Sequence, residues 1–563
     1  MKKLLTILMC IVLLAGLVSG CGGGDGENAG TSAAGADSSG EQSGDRKKLV
    51  IGVPMNTAVI DYDTNTYTTW LEEELGVDIE IKLFATGGND YLTQLSGMIL
   101  KGDRLPDVIW NFTSMSGATW DMYGQDEFLV DLKPYFDDKE GASKVWWDRI
   151  AEIGDQDFVD NILRRCEDDF GAMYVFPWIE TSIIDTMDYM VSVNKTWLDE
   201  CGLKQPTNPD ELYNVLKVFK EKMCGEKSGY YPLIGGSASA LGGDVINWLI
   251  NMFIYFDDAH YFNLSDDGKM LTTPFTDDRY REALAYCKKL SDEGLLMFDL
   301  TGPEMKNIVN PADGQPRAGF VVGHPTLTFL SNDVSIDHFV PLEKYWGYQV
   351  RKENNYSLSA GITTDCEDPD LAFKLLMLAS SEEGSYRLRY GERGVDWDWP
   401  DEGQTSFMGL PCTVKVMSEF ISTSTQNKTW KNGPGILIYS ENETAQYTNI
   451  DGWIGKRCDL IKGIYDSFTA AEANNPKYIC PVIVLSEAQS VKNEVERSNT
   501  QNVIYMMRDT FIRGTASDTI LNGAKADINN DDHWQKYLEA LENEGLEVWK
   551  AQMQEIFNEH YAD

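Results

Sequence analysis

The chain has 563 residues, with 48 basic and 89 acidic side chains and a formal charge of −41. So acidic a composition, without a Lys/Arg cluster of useful size, excludes a nucleic-acid partner and a polybasic hold on anionic lipid. With residues 1–46 set aside, roughly 515 residues remain, too many for one ordinary core and enough for two substantial lobes.

The N-terminus reads as an address. Lys2 and Lys3 precede a nearly unbroken apolar run from Leu4 to Leu14, and Leu17-Val18-Ser19-Gly20-Cys21 closes it with small residues. The run is too short for an ordinary membrane span and has the layout of an export signal over residues 1–20. Its last five residues resemble a bacterial lipobox. That resemblance implies cleavage before Cys21 and lipidation there with palmitate-type chains; a plain secretory signal with an incidental Cys21 is the alternative. Residues 21–46 then hold the anchor and a linker of glycine, serine, alanine and acidic residues, which cannot bury enough surface to order itself. The expected place is the extracellular face of the cell membrane, with the lipid as the only membrane contact.

Beyond the linker, Leu49–Pro54 reads as a strand, Tyr67–Leu75 as a helix, and Val77–Phe84 as a second strand. Tyr91–Lys101 carries Leu92, Leu95, Met98 and Ile99 at helical spacing, and Asp107–Trp110 is a short buried strand. This alternation predicts a mostly parallel sheet. Met190–Asn194 repeats the strand texture, followed by helices over Pro209–Met223, Asp244–Phe256 and Asp277–Glu293. Arg317–Gly323 is strand-like and Asp370–Ser380 is a helix. The last hundred or so residues are helix-rich, over Glu487–Phe511 and His533–Phe557.

Catalytic constellations are scarce. No HExxH or GxSxG occurs, and no two histidines stand at metal-ligand spacing. Gly235–Gly243 superficially resembles a phosphate loop but lacks the GK[S/T] ending, and reads better as a turn before a helix. Asp61-Tyr62-Asp63-Thr64-Asn65 alternates oxygen ligands without the central glycine or closing glutamate of a calcium loop. No metal, cofactor or catalytic residue is expected. After Cys21 come eight cysteines with no CxxC pair, expected to be mostly free thiols.

The chain has 15 tryptophans, several of which fall just past strand ends, where ligands of open sheets bind. Trp110 closes a strand before Asn111, Trp178 follows Tyr174-Val175-Phe176-Pro177, and Trp397 and Trp399 flank Asp398 after Asp396. An indole stacks on the C–H face of a sugar ring while short acids and amides take the hydroxyls. For each indole a half-buried core position is the competing reading.

Particular passages carry a family resemblance. Tyr174–Trp178, Met190–Leu198 with Gly202-Leu203, Pro206–Leu216, Leu358–Ile362, and Pro369–Ser380 before Glu382-Glu383-Gly384 together resemble the extracellular solute-binding lipoproteins of ATP-driven (ABC) importers, the maltodextrin-type carbohydrate receptors in particular. Many relatives carry an arginine and an aspartate where this chain has Asn194 and Thr196. The resemblance implies a two-lobed α/β, periplasmic-binding-protein-like fold of type II with a ligand cleft between lobes. Lobe 1 is expected at 47–183 and 361–409, and lobe 2 at 184–360 and 410–563.

The function it implies is a membrane-tethered monomeric receptor that captures an oligosaccharide and delivers it to the transmembrane subunits of an ABC permease. A receptor for a non-sugar solute such as a peptide, and a surface glycan-active enzyme, are the alternatives. On the sugar reading Trp178, Trp248, Trp397 and Trp399 stack on rings, Asn111, Glu180, Asp396 and Asp398 take hydroxyls, and Arg393 orients a carboxylate.

Overall fold

The computed structural model describes residues 46–236, 244–329, 334–418, 425–438, 441–448, 452–483, 485 and 487–561. The export signal, Cys21, the linker and most of the Gly235–Gly243 turn lie outside the described residues.

The chain divides into two compact units. The first holds the described residues up to Ile179 with Tyr356–Trp397 and Ser418–Leu437; the second holds Glu180–Asn355, Asp398–Met417 and Ile438–Asp563. Each unit has its own sheet. The strands in chain order are β1 (Lys47–Pro54), β2 (Val77–Phe84), β3 (Val108–Ile109), β4 (Phe176–Glu180), β5 (Val191–Asn194), β6 (Tyr231–Gly236), β7 (Leu296–Leu300), β8 (Ala318–Val322), β9 (Phe339–Pro341), β10 (Asn355–Ile362) and β11 (Ile436–Leu437).

In the first unit the six-stranded order is β11-β4-β10-β3-β1-β2. β1 runs parallel to β2, Ile51 opposite Ile81, and parallel to β3, while β10 pairs antiparallel with β3. The helices Thr66–Leu75 and Gly88–Lys101 make the crossovers that parallel pairing demands. The first starts on the Asn65 side chain, which accepts the Tyr67 N–H, and stops at left-handed Gly76. Leu49, Ile51, Val53, Val108 and Ile109 are buried, as a sheet covered on both faces requires.

In the second unit the five-stranded order is β9-β5-β8-β6-β7. β6 runs parallel to β8 and β7, and β5 antiparallel to β8 with Val191 opposite Val322. The entry into β5 therefore lies beside the carboxyl ends of β6 and β8. The helix Glu487–Arg513 packs on Asp278–Asp292 and on the C-terminal helices, extending this unit's core through Met507 and Phe511.

Several elements differ from expectation for local reasons. The helix expected over Asp244–Phe256 spans only Val245–Ile250. Asn251 ends it: its Nδ2 donates to the Asn247 and Phe256 carbonyls, and its Oδ1 accepts the Phe256 N–H at 3.0 Å. Pro209–Val218 is α-helical and passes into a π-helix over Phe219–Cys224. The segment after His533 is two helices, Asp531–Asn543 and Leu546–His560, divided at Gly545 with φ 93°.

The larger difference is in the division of the chain. The sequence reading runs the second lobe unbroken from 410, whereas the chain enters the second unit at Asp398 and returns Ser418–Leu437 to the first. Edge pairing and packing draw it back. Ile179 N–H donates to the Gly435 carbonyl at 3.1 Å, and the Trp430 indole N–H donates to Thr68 Oγ1 at 2.8 Å.

All eight described cysteines are free. Burial raises the thiols of Cys224, Cys366 and Cys458 to about 11 and that of Cys480 to about 12, and pushes Cys166 and Cys287 higher still. Alkylation of native protein, read by mass spectrometry, is expected to reach the half-buried Cys201 and Cys412 first and the six buried thiols only after denaturation. Any pair that resists labelling in denaturant without reductant is a disulfide and contradicts this assignment.

Candidate functional site

Three parallel strands of the first unit end on one edge of its sheet, and the residues just past each of them line a cavity of about 310 Å³. Met55, Asn56 and Thr57 come after β1, Thr86 and Gly88 after β2, and Asn111, Thr113 and Ser114 after β3; Asn432 completes the wall. The volume is at the lower end of the range for small-molecule sites. The carboxyl edge of an open α/β sheet is also where ligands bind.

Local physics sets each wall. Asn111 sits at φ 63°, a left-handed conformation that asparagine tolerates better than most residues, so the chain turns sharply off β3. Beneath it Trp110 is fully buried, meets Trp430 edge-on at 5.2 Å, and donates its indole N–H to the Asn432 carbonyl at 3.0 Å. Gly433 is glycine because a Cβ there would lie 2.2 Å from Trp110 Nε1. The buried Tyr91 hydroxyl accepts the Ser114 N–H at 2.7 Å, and Asn56 Oδ1 accepts the Ala58 N–H at 3.0 Å. The helix Gly88–Lys101 opens on the cavity with first-turn N–H groups that have no intrahelical acceptor.

Among the described residues, three amides, four aliphatic hydroxyls and one phenol line this cavity, and neither a carboxylate nor a cation does. Such a wall donates and accepts hydrogen bonds in both directions without a net charge. Thr57, Thr86, Thr113, Ser114 and Asn432 are exposed, and Asn56 and Asn111 half-buried.

The corresponding edge of the second unit is different. Lys352 Nζ lies 2.8 Å from Asp188 Oδ1 at the entry to β5, and burial raises the Asp188 carboxyl to about 7 against the pull of that ammonium. Asn247 Nδ2 donates to Asp258 Oδ2 at 3.0 Å, and His260 Nδ1 stands 2.5 Å from Asp257 Oδ2. The buried Arg508 donates to Asp244 at 3.0 Å, to Asn247 at 2.9 Å and to Asp509 at 2.9 Å. His324, just past β8, is 2.8 Å from Asp185. No group of three His, Cys, Asp or Glu is arranged to hold a metal among the described residues.

Of the residues singled out from the sequence, Asn111 lines the cavity. Trp178 is half-buried on β4, and Glu180 ends that strand buried. Trp397, read as a stacking platform, has no exposure: its indole N–H donates to the Gly391 carbonyl at 3.0 Å and its ring meets Tyr386 edge-on at 5.2 Å. Asp396 is buried and holds a turn together, accepting from Lys428 Nζ at 2.6 Å, Ser418 Oγ at 3.0 Å and the Glu392 N–H at 3.0 Å. Trp248 is packed in the second unit's core, 6.2 Å from Trp346. For these three the correction has one cause: packing already buries them, and the Trp397 indole N–H and the Asp396 carboxylate are bonded within the protein.

Arg393 is exposed and ion-pairs with Glu383 at 3.3 Å; Asp398 and Trp399 are half-buried, Asp398 Oδ1 accepting the Trp399 N–H at 2.9 Å. Asn56, Thr86 and Ser114 went unread, though each lies within five residues of a predicted strand end. Asn432 had no such signal, since its neighbours in space are more than 300 residues away in sequence.

Comparison with known proteins fits this architecture. The model of the bacterial extracellular solute-binding protein family matches residues 62–386. The fructooligosaccharide ABC transporter substrate-binding protein FusA of Streptococcus pneumoniae is 22% identical over 513 residues, 88% of this chain and 86% of FusA. Its kestose complex superposes with a TM-score of 0.66 at 19% identity, covering 92% of this chain and all of that one. An HMO-binding ABC-transporter-associated solute-binding protein of Bifidobacterium longum infantis superposes at 0.67 with 18% identity, over 91% of this chain and 99% of that one. The polygalacturonan/rhamnogalacturonan-binding protein YtcQ of Bacillus subtilis is 27% identical over 153 residues, 27% of this chain and 30% of YtcQ.

Two α/β units traced by one chain that passes repeatedly from one to the other have the fold of periplasmic-binding-protein-like solute-binding proteins. The chain belongs to the bacterial extracellular solute-binding protein family. None of its described helices is long and apolar enough to cross a membrane.

Replacing Trp397 by alanine is expected to cost about 3–5 kcal/mol of stability, as for other buried indoles, with unchanged affinity per folded molecule. Urea unfolding and a binding titration on the one variant check both halves. Weakened binding at full stability restores Trp397 to the ligand.

Proposed function

We propose that this protein is a receptor for oligosaccharides that delivers its solute to the membrane subunits of an ATP-driven importer. The observation that carries the reading is the cavity at the ends of β1, β2 and β3, whose amides and hydroxyls match a polyhydroxylated solute. FusA, which aligns over most of its length, carries a fructooligosaccharide name and supports the class. A free peptide would bring charged termini to a cavity whose described lining residues include no ion partner for them, at a substantial desolvation cost. The family is one of solute-binding proteins, and the protein acts by capture and release, not by chemistry on the sugar.

Calorimetric titration against a panel of defined oligosaccharides tests this directly: at least one binds, and none binding overturns the reading. Asn432→Ala removes one exposed amide from the wall, and is expected to weaken the bound sugar by about 0.5–1.5 kcal/mol with an unchanged melting temperature. Unchanged affinity removes Asn432 from the site.

The body is held at the cell surface by a lipid on Cys21, behind the linker of residues 22–46. Cys21→Ser is expected to release the protein into the medium, which fractionation and blotting of cells would detect. Retention of that variant at the membrane contradicts the lipid anchor.

A further inference from the structure

Relatives of this chain bind both neutral and acidic glycans by name, so membership in the family does not decide which kind this chain takes. The two sheet edges do bear on it. A uronic-acid sugar carries a carboxylate on every ring, and taking that group out of water is costly unless a cation or several N–H donors receive it.

Resting on the carbohydrate reading, we infer that the solute is an uncharged oligosaccharide and that the protein discriminates against uronates, because among the described residues neither sheet edge offers a cation free to receive a carboxylate. In the first unit the polar side chains lining the cavity, among the described residues, are amides, aliphatic hydroxyls and one phenol. Lys431 precedes Asn432 in sequence but is not part of that wall, and it lies near Arg389, whose charge adds to burial in lowering its affinity for a proton.

In the second unit the cations at the sheet edge are committed. Lys352 is held by Asp188 with Asp257 and Asp258 close by, Arg508 by Asp244 and Asp509, and His260 by Asp257. Carboxylates outnumber cations in this group, so an arriving uronate meets repulsion before it meets a partner. The net charge of −41 works in the same direction at a distance, lowering the local concentration of any anion. A neutral sugar is indifferent to that field and finds hydrogen-bond partners at the cavity.

The test sets neutral oligosaccharides (kestose and nystose, maltodextrins, mannooligosaccharides) against oligogalacturonates and oligoalginates of matched length, by calorimetry on the full mature chain. Neutral glycans are expected to bind, and the uronates at least roughly tenfold more weakly, with the gap narrowing as salt is raised. Two variants, Thr86→Lys and Asn432→Lys, each place an ammonium on an exposed part of the wall. Each is expected to raise uronate affinity by roughly tenfold and to change neutral affinity less.

Uronates binding as tightly as neutral glycans, or both lysine variants leaving uronate affinity unmoved while folded by thermal melt, overturns the inference and leaves the carbohydrate reading standing. No glycan of either kind binding overturns the reading and the inference together.

Discussion

The cavity depends on one buried contact, between the indoles of Trp110 and Trp430. Trp110 directly follows β3, and Trp430 belongs to a segment that returns to the first unit more than 300 residues later in the sequence. Their rings meet edge-on at 5.2 Å, and Trp430 also packs edge-on against Tyr62 and Tyr67. Two polar contacts fix the geometry further: Trp430 donates to Thr68 Oγ1, and Trp110 donates to the carbonyl of Asn432. Large aromatic side chains dominate core energetics because of their area, and an indole N–H that finds an acceptor when buried adds direction to that energy. The consequence is that Asn432, an exposed side chain on a distant segment, stands with Asn56 and Asn111 at the end of the sheet.

The second constraint is electrostatic, and it divides the labour between the units. Ionised groups are numerous along this chain, yet the described residues of the first unit's cavity wall include none. Where the second unit buries charge it pairs it, as with Arg508 between Asp244 and Asp509 and with Lys352 on Asp188. Buried pairs of this kind add little net stability over apolar packing, but losing one partner is expensive. They are better understood as fixing which segments lie together. Lys352 and Asp188 sit on the two segments that Met187 and Arg351 already bridge, and Arg351 in turn pairs with Glu472 at 2.6 Å.

Much of the fold was legible in the sequence because its strands and helices are locally consistent. β2 is bounded as its apolar pattern requires, and the helix Gly88–Lys101 carries its buried Leu95 and Met98 at helical spacing. What escaped had non-local causes. Nothing near Ile436 announces that it will form the edge of a sheet begun nearly four hundred residues earlier, so the return of Ser418–Leu437 to the first unit has no local signal in the sequence. Helix ends were misplaced where a side chain replaced backbone hydrogen bonds, as Asn251 does.

The site was harder to read than the fold, and the tryptophans show why. An indole beside acids after a glycine turn has the same sequence whether it stacks on a ligand or fills a core, because the deciding fact is what packs on its faces. For Trp397 the answer is Tyr386 and the Gly391 carbonyl; for Asp396 it is Lys428 and Ser418. Position relative to the strand ends was the better guide. Asn111 is singled out by it and lines the cavity, and Asn56, Thr86 and Ser114 obey the same rule without any unusual residue type to draw attention. Recognition of an uncharged, hydroxyl-bearing solute needs only common side chains held at the right edge of a sheet. The placement of this wall is set by the backbone, through Trp110, Trp430 and Gly433 beneath it.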